Sequence, residues 1–269
     1  MIGIFDSGAG GLSVFREIVS ILPEERYLYF ADNAHCPYGE KSPAYIQERA
    51  RFITDTLLGA GAGIIVVACN TATAAAIAYL RAAYPAVRFI GMEPAVKPAA
   101  LGTRSGVIGV LATAGTLKGS KYLDTKGRFE DNVTIVERVG EGFVELVERG
   151  ILDGPEAEAT VRASLQPLLD KGADTIVLGC THYPFLLPLM QRIAGAAVRI
   201  IDPAPSVARQ LVRVMAQEGL LSEDAAARAL SENAGAAGMP TAPRVELCSS
   251  GDPLPLQRIY AQIMGGSGV

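Results

Sequence analysis

The sequence predicts an α/β fold built from two pseudo-symmetric, doubly wound domains with mostly parallel sheets. Three observations carry this. Short apolar runs rich in β-branched residues alternate with helical stretches along the whole chain. Some of those runs, IIVV at 64–67 and TIVL at 175–178, are apolar at every position, as strands covered on both faces must be. Two strand-and-loop patterns also recur about a hundred residues apart. A chain of 269 residues suits one large or two ordinary domains. With 49% hydrophobic and 19% charged residues it has the balance of a packed globular protein, not of a disordered chain or coiled coil.

The predicted strands, in order, are Ile2–Phe5, Tyr27–Phe30, Ile64–Ala68, Arg88–Gly91, Gly106–Leu111, Val133–Val136, Thr175–Leu178, Arg199–Ile201 and Val245–Leu247. Each is short, apolar and bounded by Gly, Pro or polar residues. Helices fill the intervals. Ser42-Pro43 is a cap followed by a proline suited to the first helical position, and it leads AYIQERARFITDTLL to a stop at Gly59. Gly154-Pro155 opens EAEATVRASLQPLLDKG, and Pro205-Ser206 opens VARQLVRVMAQEG. Asn233 to Pro243, NAGAAGMPTAP, reads as a flexible connector, so the last strand is expected to return to an earlier sheet.

The repeat organises these elements. IGIFDSG (2–8) and IGVLATAG (108–115) are each a strand and a small polar loop; VVACNTAT (66–73) and VLGCTHYP (177–184) are each a strand, a cysteine and a threonine-bearing loop. The offsets are 106 and 111 residues. The expected domains are 1–97 plus 208–269, and 98–207. Ligands of open α/β sheets bind beyond the carboxyl ends of the strands, so two facing halves would set two cysteines across one cleft.

Other classes are excluded first. A net charge of −4 leaves no basic face for direct nucleic-acid binding. Thr56 to Leu80 is uncharged over 25 residues, but its Gly, Ala, Thr and Asn content suits a buried strand and helix better than a membrane span. The N-terminus, MIGIFDSG, shows no secretory signal, so a cytoplasmic location and reduced cysteines are expected. Two histidines and four unclustered cysteines give no zinc pattern, and no metal is expected.

The scarce residues then carry the chemistry. Cys69 and Cys180 each end an apolar strand and precede a loop leading into a helix, where a helix N-terminus would favour a thiolate. A single such cysteine reads as an inert buried thiol; two at equivalent positions point to function. His182 follows Cys180 by two residues and could reach it from an extended segment. Asp6 ends the first strand and, by the repeat, should lie near Cys69. The alternatives are a helix cap for Asp6 and a satisfied loop histidine for His182. The loop DSGAGG resembles a phosphate cradle but lacks the spacing and lysine of a nucleotide site. Neither DSGAGG, PYG, CNTAT nor CTHYP holds a lysine or arginine, so an anionic ligand would rest on backbone N–H groups and on Ser7, Asn70, Thr71 and Thr181. Cys36, Cys248 and His35 carry no pattern.

The ordered set IGIFDSGAGG (2–11), ADNAHCPYGEKS (31–42), VVACNTAT (66–73), VIGVLATAGT (107–116), GFVELVE (142–148), VLGCTHYP (177–184) and SSGD (249–252) closely resembles the glutamate racemases, almost end to end. The resemblance implies a cofactor-independent isomerase that interconverts L- and D-glutamate for peptidoglycan synthesis, with substrate between two α/β domains. It implies catalytic roles for Cys69, Cys180, Asp6, His182 and Glu148. Substrate contacts are implied for Asp6, Ser7, Pro37, Tyr38, Gly39, Asn70, Thr71, Thr113, Thr116 and Thr181. It further implies that Cys69 takes the proton from D-glutamate and Cys180 from L-glutamate, and that the protein forms a homodimer. Some members bind DNA gyrase, but no feature of this sequence supports that. Members with a peptidoglycan-precursor activator site have an N-terminal extension, whereas here the DSG loop starts at residue 6, so no such activation is expected. Position 36 departs from the family in being Cys where an apolar residue is usual. Aspartate racemase is the rival within the superfamily; a regulator or a phosphoryl-transfer enzyme lies outside it.

Overall fold

The computed structural model describes residues 1–231 and 244–265; the connector expected at Asn233–Pro243 lies outside them. All nine predicted strands form: β1 (Ile2–Asp6), β2 (Arg26–Ala31), β3 (Ile64–Val67), β4 (Arg88–Ile90), β5 (Val107–Ala112), β6 (Thr134–Val139), β7 (Thr175–Gly179), β8 (Arg199–Ile201) and β9 (Arg244–Ser249). They make two sheets, ordered β4-β3-β1-β2-β9 and β6-β5-β7-β8. Every pairing is parallel. Read from the same edge, β4-β3-β1-β2 and β8-β7-β5-β6 correspond strand for strand, and β9 returns to extend the first sheet beyond β2. The strands that carry the repeated motifs, β1 with β3 and β5 with β7, are therefore adjacent and equivalent in the two sheets.

Helices cover both faces of each sheet, which is why the central strands β1, β3, β5 and β7 carry no charge before their carboxyl ends. In the first sheet Ile2, Ile4, Tyr27, Tyr29, Ile64 and Val66 join one buried cluster, whereas Phe5, Leu28, Phe30, Ile65 and Val67 join another on the opposite face. The helices begin with α1 (Leu12–Ile21), α2 (Pro43–Gly59), α3 (Asn70–Ala83) and α4 (Val96–Gly102). Next come α5 (Ala114–Leu117), α6 (Ser120–Gly127), α7 (Phe143–Arg149) and α8 (Pro155–Asp170). The last are α9 (Leu187–Ala194), α10 (Ala204–Gln217), α11 (Glu223–Leu230) and α12 (Leu254–Met264). Ser42 caps α2 as expected, its Oγ accepting from the Tyr45 N–H, with Pro43 in the first turn. Helix α10 starts before Ser206, at Ala204, with Pro205 in its first turn. The first cluster also holds Leu111, Ile176 and Leu178 from the second sheet and Leu165 from α8, so one continuous core joins the halves behind the strand ends. No helix of the described residues is long and apolar enough to cross a membrane; the uncharged stretch 56–80 is the end of α2, strand β3 and most of α3.

Candidate active site

The carboxyl ends of β1, β3, β5 and β7 converge on a small, tightly closed cavity. Its lining is Ser7, Pro37, Tyr38, Gly39, Cys69, Asn70, Thr71, Thr113, Val144, Cys180, Thr181 and His182. Of the residues expected there, Asp6, Thr116 and Glu148 stand just behind the wall. Cys69 and Cys180 thus face one enclosed space from separate sheets, both as free thiols. Among the described residues no lysine or arginine lines it.

Cys69 is the N-cap of α3, and its sulfur accepts from the Ala72 N–H at 3.4 Å. The Ser7 hydroxyl lies 3.8 Å away. Burial, and then the Asp6 charge, push this thiol well above its ordinary value despite the Ala72 N–H. The helix end alone therefore does not make a resting thiolate. Asp6 is fully buried at the end of β1. Its Oδ2 accepts from the Gly11 N–H at 2.7 Å, with the Ser7 and Thr181 hydroxyls at 3.4 and 3.5 Å from Oδ1. Burial raises Asp6 above the usual carboxyl range, opposed by the His182 charge and the Gly11 N–H.

The second thiol has a different companion. Cys180 Sγ lies 3.8 Å from His182 Nδ1, and His182 Nε2 lies 2.7 Å from Glu148 Oε1. Burial opposes a charged His182, but its contacts with Cys180 and Glu148 outweigh that and hold it well above its ordinary value. For Glu148 burial likewise works upward, yet the His182 hydrogen bond and charge and the Ala9 N–H hold it below the usual range. The buried His182 and the half-buried Glu148 form an ion pair, with Nδ1 on the side of the Cys180 sulfur. The expectation that His182 reaches Cys180 from an extended segment is corrected here: its φ and ψ are −75° and −31°, and it opens a short 3-10 turn, Tyr183–Leu186. Cys180 accordingly precedes a 3-10 turn before α9, not an α-helix N-terminus.

The DSGAGG glycines have a reason the phosphate-cradle likeness did not supply. A Cβ at Gly8 would sit 2.3 Å from Glu148 Oε1, and one at Gly10 would sit 2.3 Å from His182 Nδ1. Small residues let the loop pass against the histidine–glutamate pair, and the Ala9 N–H donates to Glu148 Oε1 at 2.8 Å. The Ser13 hydroxyl donates to the Thr181 carbonyl at 2.9 Å, tying this loop to the second half.

The far wall is polar and uncharged. Thr113 Oγ1 lies 2.8 Å from that of Thr71 and 2.9 Å from that of Thr116, which is how a buried Thr116 acts on the wall without lining it. Both polar atoms of the buried Asn70 side chain lack a hydrogen-bond partner among the described residues. Such atoms are costly unless a ligand or water satisfies them. Tyr38 is held from behind, its hydroxyl donating at 2.5 Å to the buried Asp32, which Arg49 also grips through two hydrogen bonds of 2.8 and 3.0 Å. Burial raises Asp32, but Arg49 and Tyr38 prevail and keep it ionised. Asp32, Arg49, Ser13 and Val144 were not singled out from sequence. Asp32 follows β2 as Asp6 ends β1, a signal that was present; Arg49 and Ser13 look like ordinary helical residues. Cys36, set aside from sequence, lies beside Glu148 and His182.

A two-sheet α/β protein with paired thiols at equivalent strand ends in one closed cleft is the class that this geometry defines. Residues 2–211 match the Asp/Glu/Hydantoin racemase family, and the chain belongs to that family and is an isomerase. It is 52% identical over 221 residues to the glutamate racemase of Ectopseudomonas mendocina (strain ymp), covering 82% of this chain and 84% of that one. The structure is similar to that of Francisella tularensis glutamate racemase in complex with D-glutamate, with TM-score 0.78, 28% identity, and 98% and 93% of the two chains covered. It is also similar to Escherichia coli glutamate racemase in complex with L-glutamate and the activator UDP-MurNAc-Ala, with TM-score 0.77, 30% identity, and coverage of 97% and 94%.

Proposed function

We propose that the protein interconverts L- and D-glutamate by carrying the Cα proton between Cys69 and Cys180. The observation that carries this is the pair of thiols facing one cavity, each with its own buried titratable neighbour, Asp6 on the side of Cys69 and His182 beside Cys180. From the L-isomer, Cys180 as thiolate takes the proton, so the Cα–H bond breaks and an S–H bond forms. Cys69 as thiol then gives its proton to the opposite face, and its S–H bond becomes the new Cα–H bond. The charged His182 supports negative charge on Cys180, while burial keeps Cys69 in the protonated form that this direction needs. The return reaction reverses both transfers, with Asp6 and Ser7 beside Cys69.

Proton transfer by positioned groups supplies only about 10²–10⁴-fold, so charge building on the substrate carboxylate must also be stabilised. Asn70, the hydroxyls of Ser7, Thr71, Thr113 and Thr181, and the first N–H groups of α3 serve that role; a neutral, enclosed wall makes each donor count for more than in water. Pro37, Tyr38 and Gly39 shape the remaining wall. The two units divide as 1–97 plus 208–269 and 98–207. The resemblance further supports a cytoplasmic homodimer supplying D-glutamate for peptidoglycan, acting without an added cofactor. Polarimetry of purified protein tests the substrate: L-glutamate loses its rotation to a racemic mixture while L-aspartate does not. Faster turnover of L-aspartate would assign the other family activity.

A further inference from the structure

Cys36, Glu148 and His182 come from three separated places: the loop after β2, helix α7 and the turn after β7. Each offers one ligand atom within 4.8 Å of the other two, the one such grouping able to hold a metal ion among the described residues. His182 is buried and the other two are half-buried. Gly8 keeps the space between them free of side chain: a Cβ there would lie 2.3 Å from Glu148 Oε1 and 3.2 Å from Cys36 Sγ. A sulfur, an imidazole nitrogen and a carboxylate oxygen form a mixed, borderline-soft donor set, which suits zinc and not magnesium or calcium. Zinc–ligand bonds of about 2.0–2.3 Å place neighbouring donors about 3.5 Å apart, so the 2.7 Å contact between His182 Nε2 and Glu148 Oε1 must open as side-chain rotation brings Cys36 into the set.

We propose that Cys36, Glu148 and His182 form an inhibitory zinc-binding site on the flank of the catalytic cleft. Binding breaks the Cys36 S–H bond and the Nε2–H bond of the charged imidazole, and both protons leave to solvent as the S–Zn and N–Zn bonds form. The ion then displaces the direct hydrogen bond by which Glu148 holds His182, so the imidazole is no longer fixed in its present place against Cys180. The binding rests on the trio's geometry; the inhibition rests on the proposed racemase mechanism, and the two are read separately.

The experiment takes the full chain, stripped with a chelator, and measures Zn²⁺ uptake by equilibrium dialysis, Co²⁺ absorption and racemisation. The expected result is one Zn²⁺ per chain and a thiolate-to-Co²⁺ absorption band. Cys36→Ala should lose the band and weaken Zn²⁺ binding by about 100-fold or more, since losing even an outer partner of a ligand costs 10- to 100-fold. Its zinc-free activity should match that of the unchanged chain, and its inhibition should move to higher zinc by the same factor. A Cys69→Ser/Cys180→Ser double variant should still bind. No stoichiometric uptake, equal uptake by Cys36→Ala, or loss of uptake only in the double variant would overturn the site. Zinc bound through Cys36 with turnover unaffected would overturn the inhibition alone. A zinc-free chain inactive on glutamate would count against the racemase reading, with the dialysis still deciding the site.

Discussion

Replacing Glu148 by Gln separates charge from geometry in the pair beside Cys180. The amide oxygen of Gln can still accept from the Ala9 N–H, at 2.8 Å in the unchanged chain, and from His182 Nε2, at 2.7 Å. Only the negative charge goes. A hydrogen bond to a charged partner is worth about 1.5–3 kcal/mol, and each 1.4 kcal/mol is tenfold, so kcat/KM should fall roughly 10- to 100-fold. The loss must be equal for L- and D-glutamate, because the equilibrium constant of a racemisation is unity and fixes the ratio of the two kcat/KM values. With the Glu148 charge gone and only the Cys180 contact left to oppose burial in full, His182 should titrate lower. Activity that needs the imidazolium exists below that pKa, so the alkaline limb of the pH–rate profile should move to lower pH. The stability contribution has a matching window. Raised in the folded state, His182 contributes fully below the ordinary histidine value of 6.5, and this is lost as pH rises through its folded pKa. Lowered in the folded state, Glu148 contributes above the ordinary value of 4.5, and this is lost as pH falls through its folded pKa. The pair is thus fully effective between those values and persists toward neutral pH. An unchanged alkaline limb together with an unchanged rate would refute the role given to the pair.

Two further substitutions test the remaining contacts. Asp6→Asn should slow turnover yet leave Tm equal or higher near neutral pH, because it removes a buried carboxylate whose ionisation burial opposes; a clear drop in Tm by calorimetry would contradict that. Gly10→Ala should abolish turnover by displacing the imidazole, since the new Cβ would lie 2.3 Å from His182 Nδ1; an unshifted His182 ring signal by NMR with full activity would show that the loop can give way.

The fold was legible because the central strands are buried on both faces, which leaves an unbroken apolar run such as that of Ile64–Val67. The repeat was legible because β1 with β3, and β5 with β7, meet as neighbours in sheets of matching order. Cys69, Cys180, Asp6 and His182 stood out as scarce groups at strand ends. What stayed hidden depends on distance in space. Asp32 and Arg49 act on the cavity only by holding Tyr38, and nothing in the helical pattern of α2 sets Arg49 apart. Cys36 showed no ligand spacing in the chain, because the residues grouped with it, Glu148 and His182, reach it from the other half of the sequence. The glycines of DSGAGG suggested phosphate because close backbone approach has the same composition whatever is approached; here it is Glu148 and His182.

The two-thiol transfer is tested most directly by following L-glutamate in deuterium oxide over the first few per cent of reaction. With the protons held on separate sulfurs, each D-glutamate formed should carry solvent deuterium at Cα while the recovered L-glutamate keeps its original hydrogen. D-glutamate that retains the substrate's own hydrogen would mean that one group serves both faces, and the assignment of Cys69 and Cys180 as opposed partners would fall.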